Sequence, residues 1–168
     1  MPPPSASSTP ELQRDLLVFQ GLRMRVHRIG LAHWQAGARL RSWGVAALHR
    51  AGDQWLAPCG ADEALWLGFW QDEEDGPGAE VQLHDHAHGR SAGIVLPPDF
   101  QLTALRGADG TAHAIALPAP RYELRLSAGG VRCLLALQLQ APADWARTAG
   151  RAAPPALAGP PPLPPRYA

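Results

Sequence analysis

Residues 122–139 write two apolar rows of period two around a pair of glycines. Tyr122, Leu124 and Leu126 alternate with polar residues before Gly129-Gly130, and Cys133, Leu135, Leu137 and Leu139 alternate after it. A period of two puts such side chains on one face of an extended strand, and glycine takes the positive φ angles of a tight hairpin turn. An isolated hairpin cannot bury its apolar face, so the rest of the chain must supply a second layer.

The same period recurs upstream. Leu22, Met24 and Val26 alternate with Arg23, Arg25 and His27. Val45 to Leu48 and Gln54 to Leu56 flank a turn at Ala51-Gly52-Asp53, Leu65 to Trp70 and Glu80 to His86 are further strands, and Leu102 to Ile115 reads as a hairpin turning at Asp109-Gly110. Short strands spaced by about ten residues are the mark of a sandwich or barrel. No strand alternates with a helical pattern of ten or more residues, as a parallel α/β fold would require. The expected class is all-β, an antiparallel β-sandwich or jelly-roll-like barrel.

One helix is expected, over residues 10–20. Thr9 stands as N-cap, Pro10 at the first helical position, Glu11 in the first turn and Gly21 just past the end, while Leu12, Leu16 and Phe19 make one stripe. Residues 1–8 then form a flexible N-terminal tail and 9–149 a single β domain. Residues 150–168 form a proline-rich C-terminal tail that favours extended polyproline conformations.

The chain contains no lysine and no asparagine. That excludes Schiff-base lysine chemistry, a phosphate-loop lysine and N-glycosylation. Formal net charge is zero, so nothing global draws the chain to nucleic acid or to an anionic membrane. The charge is nevertheless segregated. Leu16 to Gly52 holds six arginines (Arg23, Arg25, Arg28, Arg39, Arg41, Arg50) and no acid, whereas Asp53 to Asp85 holds nine acids and no arginine. Cys59 and Cys133 stand far apart, outside any thiolate metal spacing, and read as reduced, partly buried thiols. The first residues lack a basic start and an apolar run, and no segment has the apolar length of a membrane span. A cytoplasmic location is expected, with a virion component as the other possibility.

Three stretches carry chemistry. His84, His86 and His88 fall on one face of a strand at i, i+2 and i+4, a spacing at which neighbouring imidazoles can share a divalent transition metal such as zinc, iron or nickel. Gly78, His84 and His86 resemble the start of the metal-binding motif of cupins. The resemblance implies a small metal-dependent β-barrel enzyme, and it stops at Arg90 and Ser91, where the motif has its glutamate. The other reading of these histidines is a solvated hairpin turn at His88-Gly89.

Trp66, Gly68 and Trp70 share a strand face, and a glycine between two indoles can admit a flat sugar ring or aromatic side chain, or else be covered from within the protein. Arg23 and Arg25 share another face, as Arg39 and Arg41 would on a strand; such arginines suit carboxylate or phosphate, or else are solvated or paired within the molecule with the acidic loop that starts at Gln71. Pro161, Pro164 and Arg166 resemble the proline-rich ligands of Src-homology adaptor domains. No Gly-x-Ser-x-Gly elbow is present, and no catalytic residue can be assigned.

The expected function is a non-catalytic binding or assembly module, without cofactor, that acts by protein–protein contact or self-association. The alternative is the cupin-like metal enzyme.

Overall fold

The computed structural model describes residues 9–72, 76 and 78–161. Thirteen strands and one α-helix lie among them: β1 (Glu11–Gln13), β2 (Leu16–Phe19), β3 (Leu22–Gly30), β4 (His49–Ala51), β5 (Gln54–Pro58), β6 (Glu63–Gln71), β7 (Ala79–Asp85), β8 (Arg90–Leu96), β9 (Gln101–Leu102), β10 (Leu105–Arg106), β11 (Ala112–His113), β12 (Arg121–Ala128), β13 (Val131–Gln140) and α1 (Pro142–Ala149). They make a five-stranded sheet in the order β1-β2-β3-β6-β9 and an eight-stranded sheet in the order β11-β10-β8-β7-β12-β13-β5-β4.

The sheets face one another across a continuous core. Leu17, Phe19, Leu22, Met24, Val26, Leu65, Leu67 and Phe69 enter it from the smaller sheet. Val81, Leu83, Tyr122, Leu124, Leu126, Leu135, Leu137 and Leu139 meet them from the larger one. Burying each such leucine contributes about 1.5–3 kcal/mol, which makes this layer the main stabilising term.

The β12–β13 hairpin forms as expected and pairs the two apolar rows, with Leu124 opposite Leu135 and Leu126 opposite Cys133. Gly129 and Gly130 both hold positive φ in its turn. The sheets are not wholly antiparallel. β5 runs parallel to β13, from Gln54 opposite Ala136 to Pro58 opposite Gln140. Val45 to Leu48 is not a strand; only Val45 makes an isolated bridge, to His27, and the hairpin is formed by β4 and β5 around Gly52-Asp53.

The helix expected over 10–20 is absent. Those residues form the β1–β2 hairpin, which turns at Arg14-Asp15 and turns again into β3 at Gln20-Gly21. A helix of that length is marginal by itself, whereas a strand carries Leu17 and Phe19 into the core in one alternating row with Leu22, Met24 and Val26. The helix lies instead at α1, after β13. Pro142 starts it, Gly150 ends it with a left-handed φ of 68°, and Trp145 is its buried residue. The Trp145 indole N–H donates to the Leu56 carbonyl at 3.0 Å, and the ring packs with Ala47 and Leu56.

Arg151 and the residues after it form neither helix nor strand as far as Pro161. They are tied to the domain nonetheless: Arg151 donates to the Leu48 carbonyl and lies over Trp145, and the Pro155 carbonyl accepts from Arg28. No helix among the described residues is long and apolar enough to cross a membrane.

Candidate functional site

Two strands of the smaller sheet carry the chemically distinctive outer face. Arg23 stands opposite Trp70, Arg25 opposite Gly68 and His27 opposite Trp66. The inward residues of the same strands are committed to the core, so strict alternation leaves these six outside. The structure thus brings together four candidate residues named from sequence, Arg23, Arg25, Trp66 and Trp70, although two separate readings named them.

Gly68 has no room for a ligand. A Cβ at that position would lie 2.9 Å from His27 Nε2 and 3.2 Å from Trp66 Cζ3. The space is filled by His27, whose ring stacks on Trp66 with centroids 4.1 Å apart and planes within 16°. Trp66 itself is 5% exposed. The glycine is therefore covered from within the molecule, and Trp66 is a floor rather than a platform.

His27 is held from its other edge. Its Nδ1 lies 2.8 Å from Ser42 Oγ, which also donates to the Gly44 carbonyl and accepts from the Gly44 N–H. A hydroxyl has one proton, so all three contacts form together only when Nδ1 carries hydrogen and donates. Burial, aided by the nearby Arg25 charge, pushes the imidazole down to about 4. It is neutral near pH 7 and too weak a base to activate a nucleophile.

The segment from Trp34 to Trp43 drapes over this face, where Trp34, Ala38, Leu40 and Trp43 pack with Ile29, Ala64, Trp66 and Ala116 in a second cluster. The Gln101 side chain pins the drape by donating to the Leu40 carbonyl and accepting the Leu40 N–H, at 2.9 and 3.0 Å. Trp34 adds a bond from its indole N–H to the Thr103 carbonyl.

Between the drape and the turn after β8 a cleft of about 470 Å³ remains open. His27, Trp66 and Gly68 form its base, with Trp70, Pro98, Asp99, Phe100 and Arg39 around it. Phe100 is 52% exposed, and Arg25 lies over the Trp70 ring at 5.5 Å. The volume is that of a small ligand site. Sequence reasoning did not find Phe100 or Asp99; it had Arg39, paired with Arg41, among the arginines able to clamp carboxylate or phosphate. These residues sit on loops, and nothing local announces where the loops fold.

The histidine row is only partly assembled. His84 and His86 stack, with centroids 5.4 Å apart and planes within 5°. His86 faces Glu123 at 3.4 Å, and Arg125 holds the same carboxylate and keeps its pKa below the usual range. Partial burial and the neighbouring Arg125 charge lower the His84 pKa. His88 belongs to the turn between β7 and β8, where its ring and its backbone N–H both bond the buried Asp85 carboxylate. Among the described residues no three or more histidine, cysteine or acidic side chains are placed to hold a metal ion.

The outer face of the larger sheet holds a second open hollow, lined by Glu80, Gln82, Arg125, Ser127, Arg132 and Leu134. Cys59 and Cys133 are both free thiols. Pro161 is described as a half-buried residue outside any element, whereas Pro164 and Arg166 lie outside the described residues.

Comparison with known proteins adds no relative: no family model, no curated protein and no solved structure matches the chain.

Proposed function

We propose that this chain is a non-catalytic binding module that engages a protein partner through the outer face of its five-stranded sheet. The observation that carries the reading is the cleft between Trp70 and Phe100, flanked by Arg25 and Arg39. Exposed aromatics beside arginine are the side chains that dominate protein–protein binding energy. The potential base in the cleft, His27, is locked to Ser42 and depressed to about 4, which favours a contact role over a catalytic one.

The test is photo-crosslinking from position 100, with benzoylphenylalanine in place of Phe100, in extract of the source cells. Position 134 on the other sheet is the control, because Leu134 is 65% exposed. A discrete protein adduct formed from position 100 and lost in Trp70→Ala supports the module. Labelling that is the same at both positions, or insensitive to Trp70, overturns it.

A metal-dependent reaction at His84 and His86 is the competing reading. Elemental analysis of the untagged protein beside the His84→Ala/His86→Ala variant separates the two. Stoichiometric metal that disappears in the variant would sink the module reading.

A further inference from the structure

We infer that the segment seated in this cleft is acidic and anchors itself with one large apolar side chain, an inference that rests on the binding-module reading. The arginines of the face divide into two kinds. Arg23 is ion-paired with Asp72, and Arg28 with Glu63. Arg25 and Arg39 have no ion pair and no hydrogen bond among the described residues. Arg25 lies over the Trp70 ring with its guanidinium carbon 5.5 Å from the centroid, and its side chain is exposed, so this weakly hydrated cation is accessible to a carboxylate.

Against these two cations the described residues of the cleft wall set one acid, Asp99, next in sequence to Phe100. The partner's carboxylates are therefore drawn to Arg25 and Arg39, and its apolar anchor to Trp70, Pro98 and Phe100. Lysine or arginine on the partner would meet both guanidiniums.

A sugar fits less well, because much of the cleft's hydrogen-bonding capacity is already committed. Gln101 uses both ends of its amide on Leu40, the Thr103 carbonyl takes the Trp34 N–H, and His27 Nδ1 is bound to Ser42. A ring of hydroxyls needs such groups free, whereas an apolar anchor with flanking carboxylates needs only the aromatic walls and the two arginines.

The experiment is fluorescence anisotropy with the full chain and a fluorescein-labelled peptide of sequence Glu-Asp-Phe-Asp-Glu-Gly. Two control peptides carry lysine at every acidic position, or alanine for the phenylalanine. The acidic peptide is expected to bind with a Kd of about 10–100 μM at low salt, the range of a small contact. Each control peptide, and each of Arg39→Glu and Phe100→Ser, should weaken binding at least about tenfold, the loss expected when a hot-spot contact is removed. Arg132→Glu on the larger sheet should leave it unchanged, and raising salt should weaken it.

Equal affinity for acidic and basic peptides, indifference to Arg39→Glu, or no binding near about 1 mM overturns the inference. So does binding of cellobiose that requires Trp70 when the peptide does not bind. A Trp70-dependent protein adduct from position 100 without acidic-peptide binding would overturn the ligand class and leave the module standing; loss of both would remove both.

Discussion

The His27 imidazole lies parallel to the Trp66 indole and occupies the space that a Cβ on Gly68 would need. Three residues from two strands thus make one packed unit beneath the cleft. The unit is directional: Ser42 holds the imidazole from one side and the glycine admits it on the other.

Gly68→Ala tests this packing. The new methyl would sit 2.9 Å from His27 Nε2, and His27 cannot swing away without breaking its Ser42 bond. The expected cost is about 1–3 kcal/mol, that of one overpacked methyl. Urea unfolding measures it, and the His27→Ala/Gly68→Ala double variant should cost clearly less than the sum of the singles. Additive losses would show that the two residues do not compete for the space.

Acid should weaken the same unit. His27 is near 4 when folded against an ordinary value of 6.5, so between these limits the unfolded chain binds the extra proton. Stability from this group is present above about pH 6.5 and is lost as pH falls toward 4; the imidazole is only half buried, so solvent screening holds the loss to about 1–2 kcal/mol, below the undiscounted 1.36 kcal/mol per pKa unit. His27→Gln should flatten the stability profile in that window relative to the wild type. Parallel profiles of the two proteins would remove His27 as the cause.

How far the sequence discloses this arrangement depends on how local each signal is. The β12–β13 hairpin is legible because two apolar rows and two glycines mark both strands and the turn within one stretch. Trp66, Gly68 and Trp70 are legible as one face for the same reason. What fills the gap at Gly68 is not, because the antiparallel register of β3 on β6 brings in His27, and Phe100 and Arg39 reach the cleft on loops pinned by Gln101. The segment 9–20 misleads because a capped helix and two short strands fit the same letters, and only the core row continuing through Leu22 decides. The caps of α1, Pro142 and Gly150, are visible, but eight residues with one buried side chain make no periodic stripe.

A buried ion pair closes one end of β3. Arg28 bonds Glu63 through two nitrogens, at 2.5 and 3.1 Å, with side chains only 8% and 4% exposed, and the same guanidinium donates to Pro155. Glu63→Gln leaves that cation buried without its counter-charge and should cost about 3–5 kcal/mol. Arg28→Met with Glu63→Leu removes both charges and should be markedly milder. If denaturant midpoints show the single variant no worse than the double, the pair is more solvated than its burial indicates.

Trp66 offers the opposite case, a polar atom whose loss should help. Its indole N–H is buried without a hydrogen-bond partner among the described residues. The Cζ3 corner of the ring faces Gly68, so the N–H at the opposite end of the indole points away from the cleft base. An unpaired buried donor costs about 1–3 kcal/mol. Trp66→Phe deletes the donor and keeps an aromatic surface under His27, but it also gives up part of the bicyclic ring's packing, and removing a whole large aromatic costs about 3–5 kcal/mol. The two effects oppose, so the net loss should stay below about 1.5 kcal/mol, whereas Trp66→Ala, which removes the stacking surface as well, should reach the full cavity cost. Calorimetry on both variants decides it: a phenylalanine variant as damaged as the alanine one would mean that the indole N–H has a partner, a buried water being the simplest.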